Sequence, residues 1–290
     1  FSDKGADDEV ELALRALFRE TDFRLALSHA FDREAIGQAI ARGPFAYPYT
    51  GGFVTGAPQY DKASTDFQPF DQAKANALLD GLGLEDSDGN GTRNLPDGGA
   101  DIEIIVNYPA DRNEQRKQLD AMTSLLAEVG IRLLPRGLDG STMDTFRAGG
   151  SFTAVFQRRP LINPTRESCE TLPVGEDCPF FHQSHEGKRE WFDFEKQIAD
   201  AYSRFVSSDD PKIKTEATSE MQQLITRNAY VIGTVQAPAA LLINKRIRNA
   251  HPSTPVFMYE WAEDAVIRER LWTEIDQQVE ELLPNTIATY

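Results

Sequence analysis

The sequence predicts an α/β lobe, a mixed sheet with flanking helices. Three observations predict it. Residues 102–107 (IEIIVN) form a short run rich in β-branched side chains, which suits a strand. Residues 114–129 then place Leu119, Met122, Leu126 and Val129 at the spacing of an amphipathic helix, and Gly130 stops it before a second strand, IRLLPRGL. That stretch reads β-α-β. A further helix over 141–148 leads to a third strand at 152–157 (FTAVFQ), which extends the same layer.

The other elements follow in order. FRLALSHAF (23–31) puts Phe23, Leu27 and Ala30 on one helical face, and Asp32 caps a second helix, DREAIGQAIARG, that ends at Gly43. Residues 43–69 and 163–187 read as excursions from the folded body. DQAKANALLDGL (71–82) is a helix with Asp71 as N-cap and Gly83 as its stop. Helices are expected over 191–205 and 213–227. Then AYVIGTV (229–235) and AALLIN (239–244) read as apolar strands joined by Pro238, and a charged helix over 263–283 closes the chain. No neighbouring segment offers those two strands a partner, so they are expected to pair with strands outside these residues.

Bulk properties bound the function. The 290 residues allow about two domains, or one large lobe and part of another. No window approaches the roughly 18 uninterrupted apolar residues that a membrane span needs. A net charge of −16 argues against nucleic acid, because phosphate-tracking surfaces are basic, and no basic stripe with interleaved aromatics occurs. Phe1 follows no apolar leader, so the expectation is a fragment of a longer precursor whose targeting peptide lies elsewhere.

Two clusters invite a metal. In DSDGNGTRNLPDGG (86–99), Asp86, Asp88 and Asn90 alternate and Asp97 falls at the twelfth position, nearly the ligand spacing of an EF-hand loop. The flanks are helix and strand, not paired helices, and the twelfth ligand is Asp, so a solvated turn is favoured over calcium. Cys169 and Cys178 bracket Pro173 and Gly175, which suits a disulfide closing a short loop in an oxidising compartment; free thiols, or zinc held with His182 and His185, are the alternatives. His29 on its helix and His251 in its turn read as structural or surface histidines.

Three stretches resemble the family-5 extracellular solute-binding proteins of ABC importers, the group of the oligopeptide-, dipeptide- and nickel-binding proteins. LFRETDFRLALSHAFDREAIGQAIARG carries Phe23, Arg24, Ala26, Leu27, Ser28, Ala30, Asp32, Arg33 and Glu34 where the family has Arg-x-Ala-Leu-Ser-x-Ala-Ile-Asp-Arg-Glu. FDQAKANALLDGLGLEDSDGNGTRNLPDGG is similar to its Ala-Lys-x-Leu-Leu helix, Asp-Gly-rich turn and Pro-Asp-Gly hairpin, and LDAMTSLLAEVGIRL to the helix and strand that follow. The resemblance implies a lobe of the periplasmic-binding-protein-like fold of the cluster C type. Residues 1–228 would form the second lobe, and 229–290 a return segment to a first lobe missing from the chain. It further implies a monomeric periplasmic receptor without a cofactor, which captures a small or oligomeric solute by closing two lobes and delivers it to an ABC permease of the inner membrane. The acidic turn would then be a connector.

Peptide-binding relatives follow the third strand with a Gly-Trp-x-x-Asp-x-x-Asp-Pro-like stretch, whose acid can pair with a peptide's amino terminus. Here the sequence is FQRRPLINP, with no acid. Arg158 and Arg159 stand near its place beside Phe156 and Gln157, and an arginine fork favours carboxylate, phosphate or a polyhydroxylated ligand over an ammonium. Tyr47 and Tyr49 are candidates to stack on sugar or apolar groups. The rival class is a metal-dependent hydrolase using the Cys/His cluster or the acidic turn, but no nucleophile with a base, nucleotide-cradling loop or His-Glu-x-x-His helix occurs.

Overall fold

The computed structural model describes residues 3–6, 8–41, 45–53, 55, 60–96, 99–157, 191–237, 243–250 and 268–278. The chain forms two compact units, Phe1–Ala237 and Pro238–Tyr290. The first opens with three helices, α1 (Glu9–Arg19), α2 (Thr21–Ala30) and α3 (Arg33–Ile40), then a two-residue strand β1 (Tyr47–Pro48) and α4 (Gln72–Gly81). Next comes the β-α-β unit: β2 (Glu103–Pro109), α5 (Asn113–Ala127) and β3 (Arg132–Leu138), followed by α6 (Gly140–Gly149) and β4 (Ala154–Val155). Helices α7 (Asp193–Ser207) and α8 (Pro211–Arg227) and strand β5 (Val235–Gln236) complete it.

Aspartates start many of these helices. Asp8, Asp32, Asp71, Asp139 and Asp210 each accept a hydrogen bond from a first-turn amide of α1, α3, α4, α6 and α8. Each satisfies an orphan donor and places negative charge at the positive end of the helix dipole. Part of the acidic excess is therefore architectural.

The sheet is parallel, in the order β3-β2-β4. Register runs from Glu103 opposite Arg132 to Pro109 opposite Leu138, while Val106 and Asn107 of β2 face Ala154 and Val155 on its other side. Gly130 closes α5 at φ +76, and a Cβ there would lie 2.8 Å from Arg93 Cγ, so glycine meets both the left-handed turn and the close approach. The main core gathers Leu119, Met122 and Leu126 of α5 with Ile104, Val106 and Leu133 of the sheet and Phe23, Leu27 and Ile36 of the first helices. Each fully buried aliphatic side chain contributes roughly 1.5–3 kcal/mol. A second, smaller core joins Ile198 and Ala201 of α7 to Met221 and Ile225 of α8, and Phe53 plugs it with no exposure at all.

Four expectations need correcting. The described part of 43–69 is anchored in the folded body and is no mere excursion, since Thr50, Phe53 and Gln68 are buried. The strand expected over 229–235 starts only at Val235, because the backbone first closes α8: Ala229 donates to Thr226 O, Tyr230 to Ile225 O, and Ala229 takes φ +42. Its partner lies within the chain, with Tyr47 opposite Gln236 and Pro48 opposite Val235. In the second unit, the described part of the expected terminal helix is instead two 3-10 turns, Arg268–Arg270 and Ile275–Gln277. Trp272 between them bridges to Arg248, which donates to Trp272 O at 2.7 Å, so backbone pairing overrides helix propensity there.

Candidate functional site

Open parallel sheets leave their carboxyl ends as a place for ligands, because the loops diverge there. At that end β4 leads directly into Phe156 and Gln157, and Phe156 donates its N–H to Asn107 O at 2.8 Å. Asn107, buried on β2, accepts from Arg136 Nε at 2.7 Å, and the Arg136 guanidinium lies 5.2 Å from the centre of the Phe146 ring. Those contacts fix a cation on β3 beside the strand ends.

A cavity of about 490 Å³ opens against this region. Core side chains such as Leu27, Ile104, Val106 and Met122 line part of it, together with Tyr49, Phe156, Gln157, residues 229–235 and the charged Arg15, Arg24, Glu114 and Arg147. Its polar lining includes Gln115 and Gln118 of α5, both buried. Gln118 Oε1 accepts from Thr234 Oγ1 at 3.0 Å, whereas Gln115 Oε1 is buried with no hydrogen-bond partner among the described residues. Neither glutamine carries a signal in the sequence, since a glutamine at a helical core position looks like any other polar residue.

The neighbouring corner is a buried polar network centred on Arg33. Its Nε donates to Tyr49 O at 3.1 Å and Gly233 O at 3.0 Å, Nη1 to Ser28 O and Gln68 O at 2.9 Å each, and Nη2 to Ser28 Oγ at 2.7 Å. Burial pulls the Arg33 pKa down to about 10, which leaves it charged at neutral pH. Arg24 is also drawn down to about 10, by burial against the opposing pull of Glu195, and donates to Phe18 O, Arg19 O and Asn228 O. Both arginines tie helix ends and loops together. They are structural, although they belong to the segment that carries the family resemblance.

The structure brings Tyr49, Phe156 and Gln157 around one cavity. Tyr47 stands half-exposed on β1 at 51%, beside Phe45 at 61%, outside the cavity lining. Tyr49 donates its hydroxyl to Gly52 O, which ties its ring to the loop. Arg158, Arg159, Cys169, Cys178, His182, His185, His251 and Asp97 lie outside the described residues. In the acidic turn, Asp86 accepts from the amides of Gly89, Asn90 and Gly91, which hold its carboxyl below the usual range, and Asn90 Nδ2 donates to Asp88 and Asp101. Among the described residues no group of three acidic, His or Cys side chains is placed to hold a metal ion. The turn is closed by its own backbone.

Residues 8–166 match the bacterial extracellular solute-binding proteins, family 5 Middle. The chain belongs to family 5 of the bacterial extracellular solute-binding proteins. Over 98% of its length this family-5 chain is 34% identical to the periplasmic alpha-galactoside-binding protein of Rhizobium meliloti (strain 1021). Among solved structures, the periplasmic binding protein MelB of Agrobacterium fabrum C58, in complex with stachyose, superposes with a TM-score of 0.87 and 37% identity over 97% of the chain. The oligopeptide-binding protein OppA, at 24% identity and a TM-score of 0.67 over 79% of the chain, shares the fold. The chain spans 42% of the Rhizobium protein, 43% of MelB and 39% of OppA. These relatives are binding proteins of the periplasmic-binding-protein-like fold.

Proposed function

We propose that this chain supplies the second lobe of a periplasmic receptor for an ABC importer, and that the receptor captures an oligosaccharide of the α-galactoside class. One observation carries the reading: nearly the whole chain matches both the alpha-galactoside-binding protein and the stachyose-bound MelB at 34–37% identity. In this reading residues 1–228 form the second lobe and 229–290 return toward a first lobe. The receptor works as a monomer and binds without chemical turnover, closing about a hinge and presenting the sugar to an inner-membrane permease.

The chemistry of the strand ends supports a polyhydroxylated ligand. Phe156, Gln157, Arg158 and Arg159 follow β4 with no acid among them, so an amino terminus finds no counter-charge there. Amide and guanidinium donors suit the hydroxyl and ring oxygens of a sugar. Tyr47 and Tyr49 add flat apolar faces for pyranose rings.

Isothermal titration of the full-length receptor tests this, with stachyose, a tripeptide and a phosphorylated sugar as separate titrants. Stachyose is expected to bind with a Kd in the micromolar range or tighter, and the Arg158→Ala/Arg159→Ala double variant to bind at least tenfold more weakly. Binding of the tripeptide with none of stachyose would replace the oligosaccharide reading by a peptide one.

A further inference from the structure

Strand β2 carries an asparagine in an otherwise apolar run. Asn107 follows Val106 on the central strand of the sheet and is 1% exposed. Asparagine is a poor strand former, and a buried carboxamide destabilises a sheet unless it is hydrogen-bonded. An aliphatic side chain would pack there without that demand. What the carboxamide does is hold Arg136, which stands directly across the β2-β3 ladder and donates from Nε to Asn107 Oδ1 at 2.7 Å.

Arg136 itself is exposed, and its guanidinium lies 5.2 Å from the centre of the half-buried Phe146 ring. A neutral amide and an aromatic face fix it. Other exposed arginines of the first unit are treated differently: Arg112, Arg116, Arg132, Arg204 and Arg227 are each ion-paired with a carboxylate. With 46 acidic residues against 30 basic ones, an exposed arginine of this chain readily finds an acid. Among the described residues Arg136 has no acidic partner, and its Nη1 and Nη2 donate to no protein group. The fork is held in place and left open.

Its place is the carboxyl end of the sheet. Arg136, Asn107 and Val155 form one row across β3, β2 and β4, and Val155 is the last residue of β4. The chain steps from β2 to β3 on one side and returns past β2 to β4 on the other, so the strand order reverses at β2, and open parallel sheets bind ligands at such a reversal. Asn107 also acts there through its backbone, since its carbonyl accepts from Phe156 N–H at 2.8 Å. One buried residue therefore sets both the 156–157 segment at the cavity and the cation beside it.

We infer that Arg136 is a specificity-determining residue of the receptor, its open fork donating to two neighbouring hydroxyl oxygens of the bound sugar, and that Asn107 is the positioning residue that aims it. The inference rests on the oligosaccharide reading above. A planar fork with parallel N–H groups matches two adjacent oxygens, and a fork already fixed by Asn107 and Phe146 loses little side-chain entropy when the ligand arrives.

Isothermal titration of the full-length receptor with stachyose tests this, beside the Tm of each variant. Arg136→Ala is expected to bind at least tenfold more weakly with a Tm within about 2 °C of the native value, because the side chain is exposed. Arg136→Lys is expected to recover little, since an ammonium cannot reproduce the fork. Asn107→Val replaces a buried amide by a good strand former, so it is expected to keep or raise the Tm and still to weaken stachyose binding several-fold. Combined with Arg136→Ala it should add no further loss, because Asn107 acts on the sugar through Arg136. Stachyose binding by Arg136→Ala within about twofold of native overturns the inference and leaves the oligosaccharide reading standing. A double variant far weaker than Arg136→Ala overturns the positioning role. If Asn107→Val does not fold, the Arg136 variants decide alone. A native receptor that does not bind stachyose removes the oligosaccharide reading and this inference with it.

Discussion

The β-α-β unit and the corner that joins residues 49–68 to 222–234 are held by different physics. In the unit, contiguous sequence supplies both the strands and the helix that covers them, and stability comes from aliphatic burial around Leu119 and Leu126, both at most 1% exposed. In the corner, segments more than 150 residues apart meet through buried polar groups. Gln222 accepts from Phe53 N–H and donates to Thr65 Oγ1 at 2.8 Å; Gln68 donates to Thr226 O at 3.0 Å and accepts from Thr50 Oγ1. Apolar contacts tolerate exchange among shapes of similar volume, whereas a buried polar group that loses its partner is left with the full desolvation cost. The corner should therefore be the less forgiving of the two.

The largest expected effect follows from that contrast. Arg33→Ala removes five hydrogen bonds from the corner at once and strands Gly233 O and Gln68 O in a buried site. The expected loss is about 3–5 kcal/mol in urea unfolding, and Arg33→Lys recovers little, because an ammonium cannot reproduce the planar fork. A loss no greater than that of a surface substitution would mean that water satisfies these carbonyls and that the corner is not the rigid joint described.

Leu119→Ala probes the other region. It opens a cavity in the main core and should cost about 3 kcal/mol, with no change in ligand preference. Gln222→Leu comes next, at about 2 kcal/mol, since it keeps the volume but orphans Phe53 N–H beneath the second core. If Gln222→Leu were neutral while Leu119→Ala cost its full amount, the contrast between the two regions would fail.

The same contrast explains what was legible beforehand. Leu119, Met122 and Leu126 announce their helix by spacing, Gly130 announces its end, and Asp32 and Asp71 announce two helix starts; all of these are local signals, and the structure places each as expected. The pairing of β1 with β5 was hidden, because two-residue strands separated by almost 190 positions carry no periodic pattern. The loop around Phe53 read as an excursion, since its burial depends on Gln222, a polar residue of a distant helix. For the site, aromatic and arginine chemistry drew attention to Tyr49, Phe156 and Gln157, which do share a cavity, but Gln115 and Gln118 had no sequence signal.

The smallest effect is one of pH, and it belongs to the corner. His29 is buried, and its Nδ1–H donates to Pro69 O at 2.8 Å, which fixes the neutral tautomer. Burial holds its pKa below the ordinary value; the Pro69 carbonyl and Asp71 pull upward and Lys74 and Arg33 add to the lowering, with the net shift downward. The unfolded chain therefore takes up the proton first as the solution is acidified, and the stability that a neutral buried imidazole contributes is complete above about pH 6.5. It is lost as pH falls through that value toward the folded pKa. Urea unfolding at pH 7.5 and pH 5.5 should show the native chain losing more stability on acidification than His29→Gln, which keeps a donor for Pro69 O and cannot titrate. An equal loss in the two would place the acid sensitivity elsewhere, among the carboxylates that cap the helices, and would remove His29 from the account of how the corner is held.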